Sequence, residues 1–106
     1  MALMAVSITL ARAQTLTDGP QLAKDNICMG CHQVDRMRVG PPFAAVADRY
    51  KAGDQQMVNY LANSIRNGGR GRWGAVPMPA QPQVTEEEAR ALAGWILSLA
   101  PPAASK

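Results

Sequence analysis

The sequence predicts an all-α domain, and three observations support this fold class. Four segments carry apolar side chains at helical spacing, and no stretch shows a sustained alternation of apolar and polar residues. The prolines and glycines cluster in the middle of the chain, where they separate the helical segments. With 106 residues the chain is long enough for one domain and not two. We therefore expect about four helices joined by long ordered loops.

The first two predicted helices lie on either side of the two cysteines. The first begins near Pro20, because proline suits the first turn of a helix. Its apolar residues, which lead towards the first cysteine, are Leu22, Ala23 and Ile27. The second helix covers "FAAVADRY", residues 43–50, after the break made by Pro41 and Pro42.

The third predicted helix runs from about Asp54, a plausible N-cap, to Arg66, and it stops at Gly68. Its apolar side chains repeat every four residues, at Met57, Leu61 and Ile65. A loop of some sixteen residues, 69–84, follows it. Loops of this length are unusual in compact domains unless they are functional or disordered, and this one holds a tryptophan and a methionine framed by prolines, which argues against disorder.

The fourth helix is predicted from its cap and its stripe. Thr85 and Glu88 have capping-box spacing, and the three glutamates of the first turn suit the positive end of the helix dipole. One face then carries the apolar residues Leu92, Trp95, Ile96 and Leu99. The pair Pro101 and Pro102 should end the helix.

The first thirteen residues, "MALMAVSITLARA", resemble the apolar region and cleavage site of an export signal. Cleavage after Ala13 would leave residues 14–106 as a single periplasmic domain. An N-terminal helix of the folded domain or an uncleaved anchor is the alternative. Nine or ten apolar residues are too few to span a bilayer, so we do not expect an integral membrane protein.

All the cysteines and the single histidine lie in "CMGCH", as Cys28, Cys31 and His32. This spacing is the attachment pattern of c-type haem, in which two thiols bond the vinyl groups and the imidazole reaches the iron. A structural zinc site needs four cysteine or histidine ligands, and this chain offers only three. A thioredoxin-like pair would follow a strand, and a plain disulfide would leave His32 without a role. We therefore expect one covalently bound haem c.

If the single histidine, His32, is one axial ligand of the iron, the ligand on the other side is a methionine, a weaker donor or nothing. Met29 lies inside the attachment loop, Met37 is only five residues beyond the histidine, and Met57 belongs to the stripe of the third helix. Met78 remains as the candidate, with a packed loop residue as the alternative reading.

The stretch "RWGAVPMPA" places Met78 between Pro77 and Pro79. Proline restricts the unbound loop, so less order has to be created when a weak thioether ligand binds. The stiff backbone around a flexible side chain is therefore understandable if Met78 binds the iron.

The chain resembles the short bacterial class I cytochromes c in "CMGCH", "VGPPF", "IRNGGRGRWGAVPMPA" and "TEEEARALAGWILSL". This resemblance implies an all-α fold wrapped around one haem, with His32 and Met78 as axial ligands. It also implies that the Pro41 carbonyl accepts the imidazole N–H and that Trp73 donates its indole N–H to a haem propionate.

The chain departs from that family at two positions. Ser64 stands where relatives often carry a basic residue facing a propionate, and Gln81 stands where an asparagine commonly supports the thioether. Arg66, which we include among the haem contacts, shares the candidacy for propionate pairing with Arg70 and Arg72.

These residues indicate a soluble, monomeric electron carrier with a low-spin haem, because two axial protein ligands leave no open position for a substrate. No pair of catalytic residues is visible, so we do not expect an enzyme. The haem-carrying subunit of a periplasmic dehydrogenase is the alternative, and a sensor or peroxidase-like protein from which the methionine departs is a further one.

The formal net charge is +3, with no basic run dense enough for nucleic acid. Five arginines near the predicted haem edge should steer redox partners with acidic surfaces: Arg36, Arg38, Arg66, Arg70 and Arg72. Solvated surface arginines with propionate pairing are the alternative.

Overall fold

The computed structural model describes residues 4–5, 18–51 and 54–100. Its four α-helices are α1 (Gly19–Asp25), α2 (Phe43–Tyr50), α3 (Gln55–Asn67) and α4 (Glu86–Ser98), with a 3-10 turn at Cys28–Gly30. In this part of the chain the β pairing is limited to one antiparallel bridge between Gly69 and Met78. The all-α prediction is confirmed. The predicted signal peptide, apart from Met4 and Ala5, and the prolines at 101 and 102 lie outside the described residues.

Three of the four helices, α1, α3 and α4, begin where a capping side chain satisfies a free backbone N–H group. The Asp54 carboxylate accepts a hydrogen bond of 2.9 Å from the Gln56 N–H at the start of α3. At the start of α4 the capping box is complete: the Glu88 N–H donates to the Thr85 hydroxyl at 3.1 Å, and the Thr85 N–H donates to the Glu88 carboxylate at 3.0 Å. Both predicted caps are confirmed.

Helix α1 is shorter than predicted. It ends at Asp25, where the side-chain amide of Asn26 donates to the Leu22 carbonyl at 2.9 Å. Ile27 then turns into the left-handed region, with φ of 60°, and its side chain is 76% exposed. The prediction that Ile27 continues the apolar face of α1 was therefore wrong, because the chain must turn here for the cysteines to reach the cleft described below.

Helix α4 is the centre of the core and contacts all three other helices. The buried residues that form the hydrophobic core cluster are Leu22, Ala23, Phe43, Val46, Leu61, Ala62, Ile65, Val84, Ala89, Leu92, Ala93 and Ile96. Where α1 meets α4, Gly19 allows close packing, since a Cβ there would overlap the Trp95 side chain. None of the helices in the described ranges combines the length and the apolar character needed to cross a membrane.

Candidate functional site

A cleft of about 1150 Å³, including its open mouth, lies between the helices and the long loop. Its inner wall is apolar and comes from α2, α3 and α4, through Phe43, Val46, Leu61, Ile65, Leu92 and Ile96. Six of the seven predicted site residues also line it, namely Cys28, Cys31, His32, Pro41, Trp73 and Met78. The fold thus brings together six predicted site residues that lie up to fifty positions apart in the chain.

The two cysteines are brought to the cleft by the 3-10 turn. The backbone N–H groups of Cys31 and His32 both donate to the Cys28 carbonyl, at 3.2 and 3.0 Å, which closes the turn. Both thiols are free; that of Cys28 is half-buried and that of Cys31 is exposed. Burial raises the pKa of the Cys28 thiol, because an apolar environment disfavours the thiolate.

The His32 imidazole is held on three sides. Its Nδ1 lies 2.8 Å from the Pro41 carbonyl oxygen, and its ring stacks on Phe43 with 4.8 Å between centroids. Gly40 lies against the ring so closely that a Cβ would come within 2.6 Å of His32 Cε1. A carbonyl oxygen only accepts hydrogen bonds, so Nδ1 carries the proton and the Nε2 lone pair of the neutral ring is free to bind a metal. The hydrogen bond predicted to Pro41 is confirmed.

The methionine loop is tied to the end of α3 by its backbone. Gly69 and Met78 exchange two hydrogen bonds, of 3.0 and 2.8 Å, and the Gln81 N–H donates to the Ile65 carbonyl at 3.1 Å. Met78 is half-buried, while the flanking prolines are exposed. These three bonds hold the thioether at the cleft.

Arg49 supports the part of the loop before the methionine. The Arg49 guanidinium lies over the Trp73 ring, 3.7 Å from its centroid, and donates to the Arg72 carbonyl at 2.7 Å. Arg72 and Arg70 line the cleft themselves. Sequence reasoning missed Arg49, because nothing in a linear sequence links a residue of α2 to a tryptophan more than twenty positions later.

Arg66 is the predicted site residue that the structure does not bring to the cleft lining. Its Nε donates to the Val84 carbonyl at 3.0 Å, and its Nη1 lies 3.3 Å from the Glu86 carboxylate. Arg66 thus holds the end of the loop against the start of α4, since its side chain leaves α3 on the side away from the cleft lining.

Other cleft residues also went unnoticed in the sequence. Tyr50 and Tyr60 form a tilted pair with 5.4 Å between ring centroids. Val39 and Val76 line the cleft yet are 53% and 62% exposed. A period of four along α3 could have suggested Tyr60, which precedes Ser64 by one turn, but the two valines lie in irregular segments without any period.

The donor set of the cleft fits a c-type haem. The apolar wall suits a flat macrocycle, and the two free thiols suit thioether bonds to it. An imidazole with a free Nε2 and a thioether suit iron, and the guanidinium groups of Arg70 and Arg72 suit the haem carboxylates.

Comparisons with known proteins agree with this geometry. The cytochrome c family model matches residues 16–100. The chain is 53% identical to cytochrome c-552 of Hydrogenobacter thermophilus over 79 residues, which are 74% of this chain and 79% of that protein. It is 49% identical to cytochrome c-551 of Stutzerimonas stutzeri over 82 residues, 77% of each chain. The crystal structure of cytochrome c552 from Nitrosomonas europaea superposes with a TM-score of 0.73 at 44% identity, covering 76% of this chain and 98% of that one. The chain therefore belongs to the cytochrome c family, as a short class I member and electron carrier with one covalently bound haem c.

Proposed function

We propose that the protein is a soluble periplasmic carrier of single electrons, with His32 and Met78 as the axial ligands of a low-spin haem iron. The observation that supports this most directly is the meeting of both side chains with Cys28 and Cys31 in one apolar cleft. The attachment thiols and two donors suited to iron are thus available to the same group.

When bound, the haem would supply a one-electron couple between Fe(II) and Fe(III). One methionine and one histidine ligand would favour Fe(II), and so raise the reduction potential, relative to two nitrogen ligands. The chain holds the imidazole ready for this, because Pro41 O, Phe43 and Gly40 restrict its rotation. The bond from Nδ1–H to the carbonyl also makes Nε2 a better electron donor. Little rearrangement of His32 is then needed when the redox state changes.

The methionine side is prepared differently. The two hydrogen bonds between Met78 and Gly69 fix the backbone of the candidate ligand. Pro77 and Pro79 restrict the backbone conformation of the loop on either side of it. If His32 and Met78 both bind the iron, no coordination position would be left for a substrate, which favours electron transfer over catalysis.

Exposed arginines support an acidic redox partner. Arg70 and Arg72 line the cleft, and Arg36 and Arg38 are exposed in the segment just after the histidine. We propose that they steer a partner with an acidic surface to a monomeric carrier. Electron-transfer rates with such a partner should fall as ionic strength rises, and a flat response would contradict the steering.

The proposed periplasmic location is supported by the apolar stretch ending in Ala13, which resembles an export signal. Expression of the full chain in a bacterium should yield a periplasmic product that begins at Gln14. A product that keeps the first thirteen residues would contradict the cleavage.

Axial ligation is tested by the near-infrared charge-transfer band of the oxidised protein, which reports a bond between sulfur and iron. Met78→Ala should abolish this band. Met37→Ala, at a methionine that is 64% exposed, is the matched control and should retain it. Persistence of the band in the Met78 variant would overturn the proposed ligation. Rapid binding of carbon monoxide by the reduced wild-type protein would instead favour the sensor reading.

A second candidate function, the haem-carrying subunit of a periplasmic dehydrogenase, is favoured by apolar exposure at the mouth of the cleft. Val39, Val76 and the nearby Met37 are all more than half exposed. Permanent partners often bury such residues. A stable complex recovered from native periplasm would support the subunit, whereas a free monomer would support the carrier.

A further inference from the structure

Arg72 is the most organised cation on the cleft wall. Its Nη1 donates to the Ser64 hydroxyl oxygen at 2.7 Å, and its guanidinium lies 5.2 Å from the centroid of the Tyr60 ring. The Ser64 hydroxyl in turn donates to the Tyr60 carbonyl at 2.9 Å, so its oxygen has a lone pair directed at the arginine. Each of these contacts restricts a side chain that is otherwise long and mobile.

The backbone of Arg72 is held as well. Arg49 stacks on the neighbouring Trp73 and donates to the Arg72 carbonyl at 2.7 Å. Side chain and main chain of one residue are thus fixed by separate partners, from α2 and α3.

Arg72 nevertheless has no anionic partner among the described residues, whose ion pairs are Lys51–Asp48 and Arg66–Glu86. The phenol of Tyr60 does not supply the charge, because a hydrogen bond with Tyr50 raises its pKa and it stays neutral. A guanidinium has five N–H donors in a planar fork that matches a carboxylate, and most of them remain available here.

We propose that Arg72 binds a carboxylate of the haem, with Ser64 and Arg49 as its positioning residues. This deepens the proposed function and rests on it, since the haem must occupy the cleft that Arg72 lines. The assignment answers the question raised by Ser64: the short hydroxyl does not replace a basic residue but anchors one that comes from the loop.

The other two candidates are less suited. Arg66 uses two nitrogens on Val84 and Glu86 and does not line the cleft. Arg70 lines the cleft and is exposed, but no hydrogen bond or ion pair with another described residue holds its side chain, so it would lose more side-chain entropy on pairing. Arg72 has already lost much of that freedom in the fold.

The pairing affects the iron through charge. A cation beside the cleft disfavours Fe(III) relative to Fe(II), and an unpaired carboxylate has the opposite effect. Arg72→Ala should therefore lower the reduction potential, by a shift corresponding to about a threefold to tenfold change in the equilibrium constant for reduction.

The test is an equilibrium redox titration of the haem-loaded protein at low and high salt. Arg72→Ala should lower the potential most, while Arg72→Lys and Ser64→Ala should lower it less, because each keeps the charge but loosens its placement. Arg49→Ala should also give a smaller fall. Arg70→Ala should also give a smaller fall, because Arg70 lines the cleft but its charge is not held in place. The matched control Arg36→Ala, at an exposed residue outside the cleft lining, should leave the potential close to that of the wild type.

An unchanged potential in Arg72→Ala, or an equal fall in Arg70→Ala, would overturn the assignment. If Arg72→Ala does not fold, Arg72→Lys and Ser64→Ala decide: a potential unchanged in both would also overturn it. The near-infrared band separates this result from axial ligation. That band should persist in every arginine variant, whereas failure of the ligation proposal appears only in Met78→Ala.

Discussion

The two sides of the cleft hold their iron-binding candidates by different means. On the histidine side, residues 28–41, the ring of His32 is fixed by a stacked aromatic ring, a close glycine and one carbonyl. On the methionine side, residues 68–81, Met78 is held mainly by backbone hydrogen bonds to the end of α3. Packing fixes one side chain directly, whereas the other depends on the path of its loop.

This difference teaches which side is sensitive to which change. A loop held by three backbone hydrogen bonds and flanked by exposed residues opens more readily than a ring packed against the buried Phe43, so the methionine side should be the first to open on heating or in denaturant. The histidine side should respond to changes of volume and the methionine side to changes of backbone conformation. Substitutions at Gly68, Gly40, Pro77 and Pro79 test this contrast, and a substitution at Ile27 tests the turn that leads into the histidine side.

The largest effect is expected at Gly68, where the methionine side leaves α3. Gly68 has φ of 74° and ψ of −172°, a region almost confined to glycine, and a Cβ would lie 2.5 Å from the Met78 carbonyl oxygen and 2.7 Å from the Ala80 nitrogen. Gly68→Ala should lower the free energy of unfolding by about 4 kcal/mol and weaken the near-infrared band. Denaturant titration followed at that band measures both.

Gly71→Ala is the matched control for Gly68. Gly71 has a similar φ of 75°, but a Cβ there would meet nothing within 4 Å. Gly71→Ala should lower the free energy of unfolding by only about 1–2 kcal/mol, which is the cost of the left-handed backbone alone. Equal losses in the two variants would show that contact with Met78 has no part in the effect.

The next effect is expected on the histidine side. Gly40→Ala would place a Cβ 2.6 Å from His32 Cε1 and 2.9 Å from Nδ1, which forces the ring away from the Pro41 carbonyl. The free energy of unfolding should fall by about 3 kcal/mol through overpacking and the lost hydrogen bond. Gly94→Ala, in α4 with open space at its Cβ, should instead be neutral or stabilising, and wild-type stability of Gly40→Ala would contradict the packing argument.

A smaller effect is expected from the prolines that frame the methionine. Pro77→Ala and Pro79→Ala each release the unbound loop and should cost about 0.4–1 kcal/mol. The temperature at which the near-infrared band disappears should fall in both. Pro82→Ala, outside the framed stretch, is the control: an equal fall there would show that the prolines do not act through the methionine.

The smallest effect is expected at Ile27, and its sign is opposite. This β-branched residue has φ of 60° and a side chain that is 76% exposed, so its strain is not offset by burial. Ile27→Gly should raise the free energy of unfolding by about 0.5 kcal/mol, the relief of strain less the greater freedom of the unfolded chain. Ile27→Val should give no gain in thermal unfolding, and destabilisation by glycine would show that the turn is not strained.

Much of the site could be predicted because its signals are local. The spacing of "CMGCH" predicts the attachment cysteines and the histidine, and the prolines on both sides of Met78 make it the candidate ligand among six methionines; the structure places all four residues at one cleft. The capping box of α4 is likewise complete within four residues. Each of these patterns is defined by residues that are close together in the sequence, so it can be recognised without knowing how the helices pack.

Other features could not be read in this way. The length of α1 was overestimated because helical spacing does not reveal that Ile27 must turn left-handed. Arg66 was predicted at the haem because it lies two residues after Ser64, where relatives often carry a basic residue. Its side chain instead contacts Val84 and Glu86. Which of Arg66, Arg70 and Arg72 reaches the cleft depends on distances that no linear pattern encodes.

The amino-acid sequence by itself determined the chemistry of this protein: two thiols, one imidazole, a thioether framed by prolines, and four helices, with the capping side chains of α3 and α4. Only the tertiary structure decided which charges face that chemistry, because Arg49, Ser64 and Arg72 meet through contacts between α2, α3 and the loop. Covalent spacing and helix capping act over a few residues, whereas the position of a long charged side chain is set by whatever the fold packs against it.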